Sequence, residues 1–107
     1  MADHEKEVTR RIKEKIMEKD PTAEVILFGS HARGDADKDS DWDILILVNY
    51  PKVDMNKEHE YRGELFDIEL DIEEVITVFV YTKSDWERRH SGGPFYNNVK
   101  REGIILK

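Results

Sequence analysis

The chain has 107 residues, of which 38% are charged and 38% apolar, and its formal net charge is −7. This length predicts a single domain over residues 1–107 without a second lobe, and the negative charge disfavours duplex DNA or RNA as a partner of this chain alone. The absence of cysteine excludes disulfides and thiolate metal sites, and no apolar run approaches the roughly 18 residues of a membrane span, so a cytoplasmic protein without a membrane segment is expected.

The first third of the chain predicts a helix, a strand and a short second helix. The first helix runs from about Asp3 to Lys19 and ends at Asp20-Pro21, because the residue before a proline is pushed out of the helical region. Its apolar positions recur at every fourth residue: Val8, Ile12 and Ile16. The short apolar run Glu24–Phe28 is typical of a strand that is buried on both faces. A short helix fits Ser30–Gly34, with the glycine as its stop signal.

The middle of the chain predicts a long helix between two strands. The second strand is Trp42–Val48, which Asn49-Tyr50-Pro51 closes. Within Lys57–Glu73, apolar residues follow a helical period and predict one long helix, with Tyr61, Leu65, Ile68 and Ile72 on one face. The β-branched and aromatic stretch Val75–Tyr81 predicts the third strand.

The C-terminal part predicts two more helices and an apolar tail. Ser84 and Glu87 have the spacing of a capping box at the start of one helix, which the segment Ser91–Pro94 then interrupts. Pro94 suits the first turn of the last helix, from which Phe95, Tyr96 and Val99 can face the core. The last helix is expected to end at Gly103, and a short apolar tail follows it. The order of elements predicts an α/β or α+β fold, with a small mixed sheet of three or more strands flanked by helices.

Two polar motifs follow the first strand and precede the second. Gly29-Ser30 enters the short helix directly from a buried strand, where glycine lets the backbone approach a ligand and free N–H groups attract phosphate. Asp41 and Asp43 are two residues apart at the start of a strand, so both carboxylates point to one side. Such a pair suits Mg²⁺, which binds carboxylates together with phosphates and water. Taken singly, each motif has a plainer explanation as a tight turn or a solvated strand end.

The joint pattern is more specific than either part. Gly29-Ser30-x-Ala32-Arg33-Gly34, followed by Ser40-Asp41-x-Asp43 and an apolar strand, resembles the signature of the DNA polymerase beta-like nucleotidyltransferase superfamily. It looks most like the minimal nucleotidyltransferases of bacteria and archaea. The resemblance implies the nucleotidyltransferase fold and the transfer of a nucleoside monophosphate from a nucleoside triphosphate to a hydroxyl, with pyrophosphate leaving.

The resemblance also implies a role for each residue of the motif. Gly29 and Ser30 would hold the β- and γ-phosphates, and the catalytic carboxylates Asp41 and Asp43 would bind two Mg²⁺ ions. Arg33 would pair with a phosphate, with a plain surface arginine as the equal alternative. Ser40 would position the loop of Asp41 through a backbone hydrogen bond. Many such small proteins work with a separate helical partner, often of the HEPN type, and can be the antitoxin of a toxin–antitoxin pair.

The sequence departs from the family pattern at one position. The family's third carboxylate is expected at Thr77, where a neutral side chain cannot supply the charge. Glu73 would face the same side but lies about 13 Å away, at about 3.3 Å per residue, whereas Glu74 would face the other side. The alternative function is therefore a catalytically impaired nucleotide-binding or regulatory module. An unrelated α/β protein with an accidental motif is the third possibility.

The histidines and the C-terminal aromatic residues carry weaker signals. His4, His59 and His90 are expected on solvated helical surfaces, while His31 stands beside the Gly-Ser turn, where contact with a nucleotide is possible. The aromatic residues of the last third are expected in the core or on a partner surface: Trp86, Phe95 and Tyr96.

Overall fold

In the computed structural model, which describes residues 2–89 and 92–107, a four-stranded sheet carries helices on both faces. The elements in chain order are α1 Asp3–Lys19, β1 Glu24–Phe28, α2 Ser30–Arg33, β2 Trp42–Val48, α3 Met55–Glu64, α4 Phe66–Ile72, β3 Ile76–Thr82, α5 Lys83–Arg89, α6 Pro94–Glu102 and β4 Ile104–Ile105. The strand order is β3-β2-β1-β4; β2 and β3 are parallel and the other pairs antiparallel. The predicted mixed sheet flanked by helices is confirmed.

The register of the sheet brings the polar motifs together. Asp43, near the start of β2, pairs with Phe28 at the end of β1 and with Thr77 near the start of β3. The Gly-Ser turn follows Phe28 immediately. One end of the sheet therefore carries the residues that the sequence singles out.

The side chains of β2 pack into two separate hydrophobic cores, one on each face of the sheet. Trp42 and Ile44 pack on the side of α1, α3 and α4, whereas Leu45 and Leu47 pack on the side of α5 and α6. Because side chains alternate along a strand, Asp43 lies on the α5–α6 face and its neighbour Trp42 on the opposite face. This alternation decides which residues line the site and which support it from behind.

The first four predicted elements are confirmed, and the third strand is displaced by only one residue. Gly34 ends α2 in the left-handed conformation that its position predicts. Pro94 stands in the first turn of α6, and Val99 is buried as expected. The predicted interruption before the last helix is confirmed, because α5 ends at Arg89 and α6 begins at Pro94. Ser91 and His90 themselves lie outside the described residues. Within the described residues, no helix has the length and apolar character needed to cross a membrane.

The prediction of one long helix within Lys57–Glu73 is wrong. The chain forms α3 and α4, which meet at Leu65, where the backbone has φ −97° and ψ −4°. Gly63 stands two residues before the break, and glycine has low helix propensity, which weakens a continuous helix there. The break leaves Tyr61, Leu65 and Ile68 buried in the core, so the predicted apolar face survives although the helix does not.

The capping box predicted at Ser84 is also wrong. Helix α5 begins directly after β3, and the hydroxyl oxygen of Thr82 accepts a hydrogen bond of 2.8 Å from the N–H of Asp85. Ser84 is an exposed residue of the first turn. The strand end itself therefore provides the helix cap, because Thr82 already stands three residues before a free N–H group.

Replacing the capping hydroxyl tests this assignment. Thr82→Ala is expected to lower the free energy of unfolding by about 1 kcal/mol, the usual loss for a threonine cap. Ser84→Ala, the matched control, should change it by less than about 0.5 kcal/mol, as for an exposed surface position. Urea unfolding followed by circular dichroism measures both values. A larger loss at Ser84 than at Thr82 would contradict the assignment.

The apolar tail that follows Gly103 gains a structure that the sequence does not predict. Ile104–Ile105 forms β4 and pairs antiparallel with β1, with Ile26 opposite Ile105. The fit at Gly103 is close, because a Cβ atom there would lie 2.5 Å from the carbonyl oxygen of Val99. The chain thus returns tightly from α6 to the sheet.

Candidate active site at the end of the sheet

The Gly-Ser turn lies directly against the carboxylate of Asp43. Gly29 has φ 77° and ψ −158°, and a Cβ atom built on it would lie 2.1 Å from Oδ2 of Asp43. Only glycine has both the backbone freedom and the missing side chain that this contact requires. Ser30 begins α2 and is half-buried at the same turn. The Gly-Ser motif and the carboxylate motif are therefore in contact.

The two aspartates share a small region. Asp41 is exposed, and its Oδ2 accepts a hydrogen bond of 3.4 Å from the hydroxyl of Thr77, the register partner of Asp43. Burial raises the pKa of Asp43 above its ordinary value, and the negative charge of Asp41 raises that pKa further. His31 and Arg33 act in the opposite direction. When both carboxylates are ionised, the nearby positive charges do not cancel the repulsion between them, and a bound cation would reduce that repulsion.

Ser40 shapes the loop that carries Asp41. Its Oγ accepts a hydrogen bond of 2.9 Å from the N–H of Asp37 and lies 3.2 Å from Oδ1 of the same residue. The N–H of Asp39 donates to that Oδ1 at 2.9 Å. The predicted backbone hydrogen bond of Ser40 is therefore present, and it closes the loop just before the carboxylate pair.

Arg33 stands beside the aspartates with its charge already engaged. Its Nε lies 3.2 Å from Oδ2 of Asp35, and its Nη1 lies 3.2 Å from Oε2 of Glu102. The hydrogen bonds to Asp35 and then to Glu102 raise the pKa of Arg33. A phosphate at this position would have to compete with two carboxylates. The pattern of the motif gives no sign of Glu102, which is 69 residues away in the chain.

The structure places no acidic residue at the position of the family's third carboxylate. Thr77 is the partner of Asp43 in the parallel register. Glu73 is an exposed residue in the left-handed conformation after α4. Glu74 faces the opposite side, where Trp42 Nε1 donates to its Oε1 at 3.3 Å. Among residues 2–89 and 92–107, no three acidic or histidine side chains are grouped to hold a metal ion, so the other ligands of a metal held by the two aspartates would be water or substrate oxygens.

His31 does not lie on the face of the sheet that carries the side chain of Asp43. It is only 6% exposed and stacks on Trp42, which lies on the opposite face of β2 from Asp43. His4 is exposed, as expected, but its Nε2 also lies 2.8 Å from Oε2 of Glu74. The sequence gives no signal for these contacts, because they join residues that lie far apart in the chain. The C-terminal aromatic residues belong to the core, as expected: Trp86, Phe95 and Tyr96.

Comparisons with known proteins bear on the family and the fold of the chain. The family model described as a nucleotidyltransferase domain matches residues 9–105. The chain is 67% identical over 30 residues to the putative protein adenylyltransferase MJ0141 of Methanocaldococcus jannaschii; that stretch is 28% of this chain and only 30% of the relative's length. The crystal structure of a toxin-antitoxin with AMP-PNP superposes with a TM-score of 0.68, at 18% identity, over 92% of this chain and 72% of the other. At this identity the likeness shows a shared fold.

Proposed function

The chain belongs to the nucleotidyltransferase domain family, as its motif predicts, and on that premise we propose that it transfers a nucleoside monophosphate from a nucleoside triphosphate to a hydroxyl acceptor with Mg²⁺ as cofactor. One observation carries the proposal. The backbone of Gly29 touches the carboxylate of Asp43, so a triphosphate held at the Gly-Ser turn has its charge beside the aspartate pair. The residues that we propose for this site are Gly29, Ser30, Arg33, Ser40, Asp41 and Asp43.

Four of these residues have a direct part in the proposed reaction. Asp41 and Asp43 would hold the metal, which neutralises triphosphate charge when bound. Gly29 and Ser30 bind the β- and γ-phosphates and orient the α-phosphorus toward the acceptor. The acceptor oxygen forms a bond to the α-phosphorus as the bond to pyrophosphate breaks, and the hydroxyl proton leaves to water. Positioning and charge neutralisation supply most of the acceleration in reactions of this kind.

The acceptor that we propose is a hydroxyl on a separate protein. The printed name of the archaeal relative is that of a protein adenylyltransferase, and the fold neighbour is part of a toxin-antitoxin. We therefore propose ATP as the donor, adenylyl transfer as the reaction, and a helical partner of the HEPN type as the acceptor. The absence of cysteine is compatible with a cytoplasmic setting for such a pair.

The second candidate is a nucleotide-binding or regulatory module without turnover. Thr77 favours it, since this residue stands opposite Asp43 at the place where a third carboxylate would complete the site. Both candidates require that Mg²⁺ and triphosphate bind. They differ only in whether a nucleotide is then transferred.

Calorimetry with ATP, with and without Mg²⁺, tests the shared part. Changing both Asp41 and Asp43 to Asn is expected to weaken Mg²⁺-dependent binding by at least about tenfold, or about 1.4 kcal/mol. Asp39→Asn removes an exposed carboxylate of the same loop and serves as the matched control. If the unchanged protein binds no triphosphate, the family function fails here although the fold stands.

Transfer is then measured with ATP labelled at the α-phosphate and the product of the adjacent open reading frame. We expect the label to become covalently attached to that protein and to be absent with the double variant. Binding without any transfer, with the partner present, would favour the regulatory module.

A further inference from the structure

Two aromatic rings stack behind the proposed site, one from each motif. The ring centroids of His31 and Trp42 lie 3.6 Å apart, and the ring planes differ by 8°. His31 follows Ser30 in the phosphate turn, whereas Trp42 separates Asp41 from Asp43 in the carboxylate turn. The stack therefore connects the two turns on the face of the sheet opposite to the Asp43 side chain.

The polar edge of each ring is held by a glutamate. Nδ1 of His31 lies 3.2 Å from Oε2 of Glu5 in α1, and Nε1 of Trp42 donates to Oε1 of Glu74 at 3.3 Å. The other oxygen of Glu74 lies 2.8 Å from Nε2 of His4. An ionised carboxylate only accepts hydrogen bonds, so Nδ1 of His31 is the donor in the contact with Glu5. The rings are thus fixed from α1 on one side and from the turn before β3 on the other.

Packing as well as hydrogen bonding holds the imidazole of His31 in position. Trp42 is 0% exposed and His31 is 6% exposed. Nε2 of His31 is buried and has no hydrogen-bond partner in the part of the chain that the structure describes. A buried polar atom normally has a hydrogen-bond partner, so the missing partner of Nε2 costs free energy. The contact between the imidazole and the indole offsets this cost.

We propose that His31 and Trp42 are positioning residues, which hold the Gly-Ser turn and the aspartate pair at the separation that a metal-bound triphosphate requires. Both occupy positions that the quoted motif leaves unspecified, so neither is part of the signature itself. Gly29 already touches Asp43, and a shift of either ring would move one side of that contact relative to the other. The inference rests on the proposed function, since it concerns the same triphosphate.

Two substitutions at His31 separate the stack from the hydrogen bond. His31→Asn keeps a short donor for Glu5 but removes the ring, whereas His31→Phe keeps a ring on Trp42 and removes the donor. Calorimetry with a non-hydrolysable ATP analogue and Mg²⁺ should show binding weakened by about tenfold in His31→Asn and by less than about threefold in His31→Phe. His59→Asn, an exposed position on α3, is the matched control and should bind like the unchanged protein.

A second measurement separates positioning from a general loss of structure. Binding of Mn²⁺ alone, followed by electron paramagnetic resonance, should change by less than about twofold in His31→Asn, because the hard oxygen ligands remain. Equal losses of Mn²⁺ and nucleotide binding would indicate simple destabilisation and overturn the proposal. Nucleotide binding by His31→Asn at the unchanged level would also overturn it, as would an equal loss in His31→Phe.

Trp42→Phe carries the test if His31→Asn does not fold. It keeps a smaller ring in the stack and loses the hydrogen bond to Glu74, so nucleotide binding should weaken by about threefold. Binding at the unchanged level overturns the positioning role. Failure of the proposed function is distinguishable, since in that case the unchanged protein binds no triphosphate at all.

Discussion

Gly29→Ala is expected to abolish triphosphate binding and to lower the free energy of unfolding by about 1–3 kcal/mol, the cost of holding a non-glycine residue in a sparsely populated backbone region. The reason is twofold. The backbone at this position has φ 77°, and the added Cβ atom would lie 2.1 Å from Oδ2 of Asp43. Either the turn or the carboxylate must move, and the proposed site depends on both.

Gly34→Ala is the matched control for this substitution. Gly34 also has a positive φ, of 87°, but no atom lies within 4 Å of the place where its Cβ would stand. The control therefore bears a backbone cost, about 1–2 kcal/mol, without displacing Asp43. Urea unfolding measures the stability of both variants, and calorimetry measures their binding of ATP and Mg²⁺. Equal affinities in the two variants would contradict the role assigned to the contact between Gly29 and Asp43.

Thr77→Asp is expected to raise the rate of nucleotide transfer by about 100-fold, the lower end of the usual contribution of a well-placed acid or base. Thr77 stands opposite Asp43 and its hydroxyl already reaches Asp41, so an aspartate there would bring a third carboxylate to the pair. The measurement is the rate of label transfer from ATP to the partner protein. Thr77→Asn, which has the same shape without the charge, should show no increase.

Thr77→Asp is also expected to change the melting temperature, and this effect does not depend on nucleotide transfer. Three carboxylates at one point repel one another unless a cation lies between them. Thr77→Asp should therefore melt at a lower temperature than the unchanged protein in a chelator and recover when Mg²⁺ is added, because a ligand that binds the folded state stabilises it. A melting temperature that is insensitive to Mg²⁺ would show that Thr77 does not face the metal-binding region.

Local patterns were sufficient for most elements and for the motif. The spacing of apolar residues in α1, the β-branched run of β3 and the glycine at the end of α2 each act over a few residues, so the chain itself displays them. The wrong prediction of a capping box at Ser84 also came from a short local pattern. Two residues at the right spacing indicate a capping box, but Thr82 at the strand end is the residue that reaches the free N–H group.

The sequence by itself determined the family, the two motifs and the missing charge at Thr77, because these depend on residue type and short spacing. Only the tertiary structure decided how the motifs meet. The register places Asp43 against the backbone of Gly29, and contacts across 69 residues engage Arg33 with Glu102. The burial of His31 behind the site was decided in the same way. Such contacts depend on which surfaces the sheet brings together, and no local pattern records them.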